Sequence, residues 1–153
     1  EFLQLMSRHY NLALWTSMQK SSSKKVLKEL FHDRNVRLEF TWFQNRCKII
    51  KSFEQQEKDE KPSFFKNLID VWQEYPVYNT SNTILLDDSE EKCVENDSKN
   101  CIHPLPFDLS ESGEEDKELH PDGRLARYLT SLSNYAEGLD QYILNHGRYT
   151  SSL

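Results

Sequence analysis

Three short stretches hold the residues whose types and spacing suit chemistry. Leu85-Leu86-Asp87-Asp88-Ser89 closes an apolar run on two adjacent carboxylates. Paired carboxylates at the end of a strand supply the hard oxygen donors that Mg²⁺ takes, with Asp88 and Asp87 as the metal ligands. The same pair also serves as ordinary turn residues. Leu12-Ala13-Leu14-Trp15 stops abruptly at Thr16 and Ser17, whose hydroxyls could bond the oxygens of an anion or simply cap a strand end. Lys66 stands just after Pro62, early in an amphipathic stretch, as a cation for an anionic group or as a solvated surface lysine. Ligands of open parallel sheets bind beyond the carboxyl ends of the strands, and Thr16-Ser17 and Asp87-Asp88 mark two such ends.

These residues need elements to hold them. Phe2, Leu5, Met6 and His9 fall at helical spacing and predict a short helix over 2–9. Residues 12–15 read as a buried strand. Ser21 to Ser23 offer cap chemistry before a helix whose apolar face is Val26, Leu27, Leu30 and Phe31. Val36, Leu38, Phe40 and Trp42 alternate and predict a second strand over 36–43. Residues 51–62 are charged and read as a solvated loop. Phe65, Leu68, Ile69 and Trp72 sit at i, i+3, i+4 and i+7, which predicts a helix with one buried face. A third strand is expected at 83–87. Residues 88–122 read as an acidic, partly mobile loop holding at most one short strand within 102–107. Its acidic part, 111–118, reads as a solvated loop. Leu125, Tyr128, Leu129 and Leu132 predict a helix, and Leu139, Tyr142 and Ile143 another. The tail from Gly147 is expected to fray. Helix, strand, helix and strand in alternation indicate an α/β domain with a parallel sheet.

The bulk properties agree with one domain: 153 residues, 37% hydrophobic, and a mean hydropathy of -0.79 that leaves room for loops. A formal net charge of -6 argues against a bare nucleic-acid binder but not against a local anion pocket. Cys47, Cys93 and Cys101 have neither a disulfide framework nor zinc spacing, so reduced thiols in an intracellular compartment are expected. No apolar run approaches the ~20 residues of a membrane span. The opening Glu-Phe-Leu-Gln-Leu-Met has no initiator methionine and no cationic leader, so the chain is expected to begin inside its domain.

The order hydroxyl, lysine, paired carboxylates resembles the second, third and fourth motifs of the haloacid-dehalogenase-like hydrolases. More closely, the chain resembles the FCP1-homology, or NLI-interacting-factor, phosphatase domain in its plant-type form. Leu14-Trp15-Thr16-Ser17 is similar to the hydroxyl motif, and Phe40-Thr41-Trp42 leading to Cys47 to the aromatic strand after it. Lys61-Pro62-Ser63-Phe64-Phe65-Lys66-Asn67-Leu68 resembles the lysine motif, and Thr83-Ile84-Leu85-Leu86-Asp87-Asp88-Ser89 the acidic one. Asp116-Lys117-Glu118-Leu119 and the helix after it resemble the closing helix.

The resemblance implies a three-layer Rossmann-like sheet spanning 1–146, with 147–153 as tail. It implies a Mg²⁺-dependent attack by an aspartate on phosphoserine, through an acyl phosphate. Thr16 would bond a phosphate oxygen, with Ser17 as a nearby substitute. Lys66 would neutralise the phosphate and the nucleophile. Asp88 would ligate Mg²⁺, and Asp87 would share the metal or orient Lys66.

One departure matters. The family's first motif, Asp-x-Asp-x-Thr or Asp-x-Asp-x-Val, is absent from the sequence. In this fold its strand lies between those of Thr16 and Asp87, so the nucleophile-bearing strand is missing. Those two strands should then either face a gap or close up on each other. The expectation is a C-terminal part of a phosphatase domain, inactive as given and weak for Mg²⁺, with the first strand upstream of Glu1. Its partners would be phosphoserine-containing proteins and its compartment the nucleus. The alternative implied by resemblance is a non-enzymatic module of the presequence translocase in the mitochondrial inner membrane, binding other translocase subunits.

Overall fold

The computed structural model describes residues 1–31, 35–50, 63–107 and 116–151. The order is α1 (Phe2–Met6), β1 (Leu12–Trp15), α2 (Lys20–Phe31), β2 (Leu38–Trp42), β3 (Lys48–Ile50), β4 (Ser63–Phe65), α3 (Leu68–Glu74), β5 (Leu85–Leu86), β6 (Cys101–Ile102), α4 (Arg124–Ser133) and α5 (Gly138–His146). The expected loop at 51–62 and most of the acidic stretch at 111–118 lie outside the described residues.

The α/β alternation is present, but the described strands form three two-stranded sheets instead of one continuous sheet. β1 pairs with β2 in parallel, with Leu14 opposite Thr41 and Trp15 opposite Trp42. β5 pairs with β6 in parallel, with Leu85 opposite Cys101. β3 and β4 are antiparallel.

Side chains of β1 and of the run into β5 meet two separate apolar clusters. Leu12 and Ile84 pack on one with Phe2, Met6, Ile102, Leu125 and Leu129, which joins α1 to α4. Trp15 and Leu85 pack on another with Trp42, Leu68 and Val71, under α3. Successive strand side chains point to opposite faces, so helices lie on both sides of these strands.

β1 and β5 do not close up. Between them lies a groove of about 440 Å³, lined by Leu12, Leu14, Trp15, Leu85, Met6 and Leu129 among others. Among the described residues β1 has only β2 as a strand neighbour and β5 only β6. This gap is why the single sheet expected from sequence is not formed. Each strand keeps one edge toward an apolar slot.

The helices follow their patterns unevenly. α4 buries Leu125, Ala126, Leu129 and Leu132, as its periodicity predicts. Before it, Gly123 has no room for a side chain, because a Cβ there would collide with the Lys117 carbonyl oxygen. α2 departs from expectation. It starts at Lys20, so the serines lie inside its first turn, and the Ser23 hydroxyl donates to the Lys20 carbonyl. Its predicted apolar face is uncovered, with Val26 45% and Leu30 41% exposed. Periodicity shows that a helix has an apolar face, but not that a neighbour covers it.

Phe65 was expected on the third helix but belongs to β4, where it pairs with Lys48. The helix begins two residues later, because the Asn67 side chain accepts from the Ile69 N–H and sets the cap. The short strand expected within 102–107 is Cys101–Ile102. The tail is docked through residue 151 instead of frayed. Arg148 donates to the Ser98 hydroxyl, Tyr149 to Glu118, and Ser151 to the His103 carbonyl. No described helix is long and apolar enough to cross a membrane.

Tyr10 ties the N-terminal segment to α4, its phenol donating to the Leu129 carbonyl at 2.6 Å. Burial is the main cause that pushes this phenol above the ordinary tyrosine range, and Tyr142 and Tyr128 add to it. A phenol with a raised folded pKa holds its proton longer in the folded state than in the unfolded chain. Its stabilising contribution is therefore complete below the unfolded value near 10 and is lost as pH rises above it. Urea midpoints measured from pH 8 upward should fall on the alkaline side, and Tyr10→Phe should flatten that fall. A Tyr10→Phe profile parallel to wild type would refute this assignment.

Candidate functional site

Lys66 lies in the short joint between β4 and α3, ahead of the helix in which the sequence placed it. The joint is held from both sides. The Lys66 N–H donates to the Lys92 carbonyl at 2.8 Å, and the Asn96 amide donates to the Lys66 carbonyl at 2.7 Å. The Asn96 oxygen in turn accepts the Leu68 N–H at 2.8 Å, so one side chain spans the strand-to-helix turn. These bonds fix the lysine backbone and aim its side chain inward, where Lys66 is 6% exposed.

Its partner is Asp87, at the end of β5. Lys66 Nζ lies 2.5 Å from Asp87 Oδ2, and the two side chains are 8% and 9% exposed. The other carboxylate oxygen, Oδ1, accepts the Ser89 N–H at 3.1 Å. The Asp87 backbone is held as well. Its N–H donates to the Ile102 carbonyl at 3.1 Å, and its own carbonyl accepts from His103 Nδ1 at 2.8 Å. A buried ion pair of this kind holds its geometry because both charges would be costly alone.

Thr16 joins this edge through Cys47. The Thr16 N–H donates to the Trp42 carbonyl at 2.9 Å, extending the β1–β2 ladder by one residue. Its hydroxyl oxygen accepts the Met18 N–H at 3.1 Å, and the Cys47 thiol donates to its carbonyl at 3.9 Å. Burial holds the Cys47 thiol above the usual cysteine range, against the Trp15 indole and the charges of Lys66 and Lys92. Cys47 is thus in electrostatic range of Lys66, and the carboxyl ends of β1 and β5 share one edge.

The other two predicted residues follow the same strand ends. Ser17 is half-buried and Asp88 exposed, and neither side chain has a described partner. Of the five predicted residues, Lys66 and Asp87 touch directly, and Thr16 is linked to them through Cys47.

Mg²⁺ takes about six oxygens, usually including waters and one or two carboxylates. Both Asp87 oxygens are engaged, which leaves Asp88 as the strand-end carboxylate with open oxygens. Among the described residues no group of three His, Cys, Asp or Glu side chains is placed to hold a metal ion. These residues alone do not make a tight Mg²⁺ site.

Sequence reasoning missed Asn96, Cys47 and His103 as parts of the site. Asn96 and His103 lie in the stretch taken for loop, and no periodicity or spacing distinguishes them there. Only the folded contacts give them a role.

A strand-end hydroxyl and a buried lysine held by an aspartate, both at the carboxyl edge of parallel strands, define an α/β domain built to face an anion. The sequence model of the NLI interacting factor-like phosphatases matches residues 1–139, so the chain belongs to that family. Its domains have the haloacid-dehalogenase-like fold, and its phosphatases generally use Mg²⁺. No curated protein matches the chain.

Proposed function

We propose that this chain holds the positioning half of a phosphoryl-transfer centre acting on phosphoserine in proteins, and that it is inert until an extended strand carrying the nucleophile fills the groove between β1 and β5. The carrying observation is the buried Lys66–Asp87 pair, which lies at the carboxyl end of β5, one of the two strands that border that groove. Lys66 would meet the charge of the transferring group, with Asp87 fixing its position. Thr16 would offer a hydroxyl to a phosphate oxygen, and Ser17 a second one. Mg²⁺, when bound, would neutralise charge between nucleophile and phosphate, with Asp88 as the ligand this chain contributes. Phosphoryl transfer depends mostly on such positioning and charge.

The test compares two proteins on p-nitrophenyl phosphate with Mg²⁺. The chain as given should show no turnover. A version with an apolar strand ending in Asp-x-Asp-x-Thr, fused upstream through a flexible linker, should turn over. Changing the first of those aspartates to asparagine should abolish that activity. Lys66→Ala should lower it by about 10²–10³-fold, the usual scale for one lost charge-stabilising donor. Turnover by the unextended chain that vanishes in Asp88→Ala would sink the proposal. So would a fused protein that folds, fills the groove and stays inert.

A further inference from the structure

Two thiols outside the phosphoryl site are in contact with each other. Cys93 and Cys101 share a side-chain hydrogen bond. Cys93 is 5% exposed and ends the turn at Glu90–Lys92. Cys101 is half-buried and opens β6 opposite Leu85. The backbone at each is fixed. The Cys93 N–H donates to the Glu90 carbonyl at 2.9 Å, and the Asn96 N–H to the Cys93 carbonyl at 2.8 Å. Cys101 is held by its pairing with β5. Two thiols already touching on fixed backbones need only a small adjustment to reach the disulfide bond length of about 2 Å.

Their neighbours give the pair a consequence. Beside Cys93, the Lys92 carbonyl accepts the Lys66 N–H, and Asn96 holds the Lys66 carbonyl. Beside Cys101, the Ile102 carbonyl accepts the Asp87 N–H. One thiol therefore belongs to the cradle of Lys66 and the other to the strand that anchors Asp87. We propose that Cys93 and Cys101 form a reversible disulfide under peroxide, which locks the Lys66 cradle to the Asp87 strand.

The chemistry divides by position. Cys101 is the more accessible thiol, and the hydrogen bond from Cys93 favours its thiolate, pulling its titration below the usual cysteine value. The Cys101 thiolate attacks a peroxide oxygen, the O–O bond breaks and hydroxide leaves, giving a sulfenic acid. The Cys93 sulfur attacks the Cys101 sulfur. The S–S bond forms, the S–O bond breaks, and the leaving hydroxide takes the Cys93 proton as water. Two thiols lose two electrons and two protons, and one peroxide becomes two waters. A dithiol such as dithiothreitol reverses the step by exchange. Cys47 takes no part, because its thiol is directed at the Thr16 carbonyl.

The test needs no turnover, so its result is separate from the phosphatase reading. The full chain is treated with hydrogen peroxide, and its free thiols are titrated. They should fall from three to one, and peptide mapping should join Cys93 to Cys101 with Cys47 still free. Cys93→Ser should instead leave a Cys101 sulfenic acid that dimedone traps. Cys101→Ser should keep both remaining thiols. Amide exchange at Lys66 and Asp87 should slow about tenfold on oxidation and recover with dithiothreitol, as local opening becomes harder. Crosslinks through Cys47, three surviving thiols, or dimedone on Cys93 alone would overturn the pairing. Unchanged exchange at Lys66 and Asp87 would overturn the lock.

Discussion

Asp87→Ala should lower unfolding free energy by about 3–5 kcal/mol, because it leaves the Lys66 ammonium buried with no carboxylate. At roughly 2–4 °C per kcal/mol for a chain of this size class, the melting temperature should drop by about 6–20 °C. The burial of both side chains, 8% and 9% exposed, is what makes the effect large. Arg46 and Glu74 make the contrasting case: their side chains are 37% and 43% exposed. Removing that pair should cost no more than about 1 kcal/mol, the range of surface ion pairs. A paired replacement separates charge from packing. Lys66→Met with Asp87→Leu removes both charges and keeps apolar volume, so it should recover much of the loss. The measurement is urea unfolding of the single and double variants. If the double variant is as unstable as Asp87→Ala, the cost lies in the Ser89 and backbone contacts instead of the unpaired ammonium.

How far this could be read from sequence depends on the kind of signal. Strand tips announced themselves, because an apolar run that breaks into Thr16-Ser17 or Asp87-Asp88 is a local pattern. α4 was legible for the same reason, since Leu125, Leu129 and Leu132 repeat at helical spacing. Phe65 was assigned to the wrong element because its apolar spacing suits a helix, while its pairing with Lys48 is a contact with residues far away in the chain. Lys66 moved with it, from the helix to the joint ahead of it. Val26 and Leu30 form the face their pattern predicts, yet a pattern carries no information on what lies opposite. The groove between β1 and β5 agrees with the gap expected from the absent first motif. The polar clamps were invisible. Asn96, Asn100 and His103 look like loop residues in sequence, and only distant partners give them structural weight.

Asn100→Leu tests the strongest of those clamps and should cost about 3 kcal/mol or more. Asn100 is 0% exposed, and its side chain makes three hydrogen bonds. Its oxygen accepts the Thr80 hydroxyl at 2.9 Å. Its amide nitrogen donates to the Thr80 and Thr83 carbonyls, each at 2.7 Å. Leucine is close in size but satisfies none of these groups, and each buried polar group left unpaired costs about 1–3 kcal/mol. Asn100→Asp should be no better, because a carboxylate cannot donate to the two carbonyls and brings a buried charge. The damage should reach the site. Thr83 leads into β5 and Asn100 into β6, so this side chain sets the register in which Leu85 faces Cys101. That register places the Ile102 carbonyl under the Asp87 N–H. Hydrogen exchange should therefore show the Asp87 amide losing protection in Asn100→Leu by more than the amides of α4, which lie in a separate apolar cluster. A variant within about 0.5 kcal/mol of wild type, the range of ordinary surface changes, would show that Asn100 is replaceable. Asp87 would then owe its place to the lysine beside it rather than to the strand beneath it.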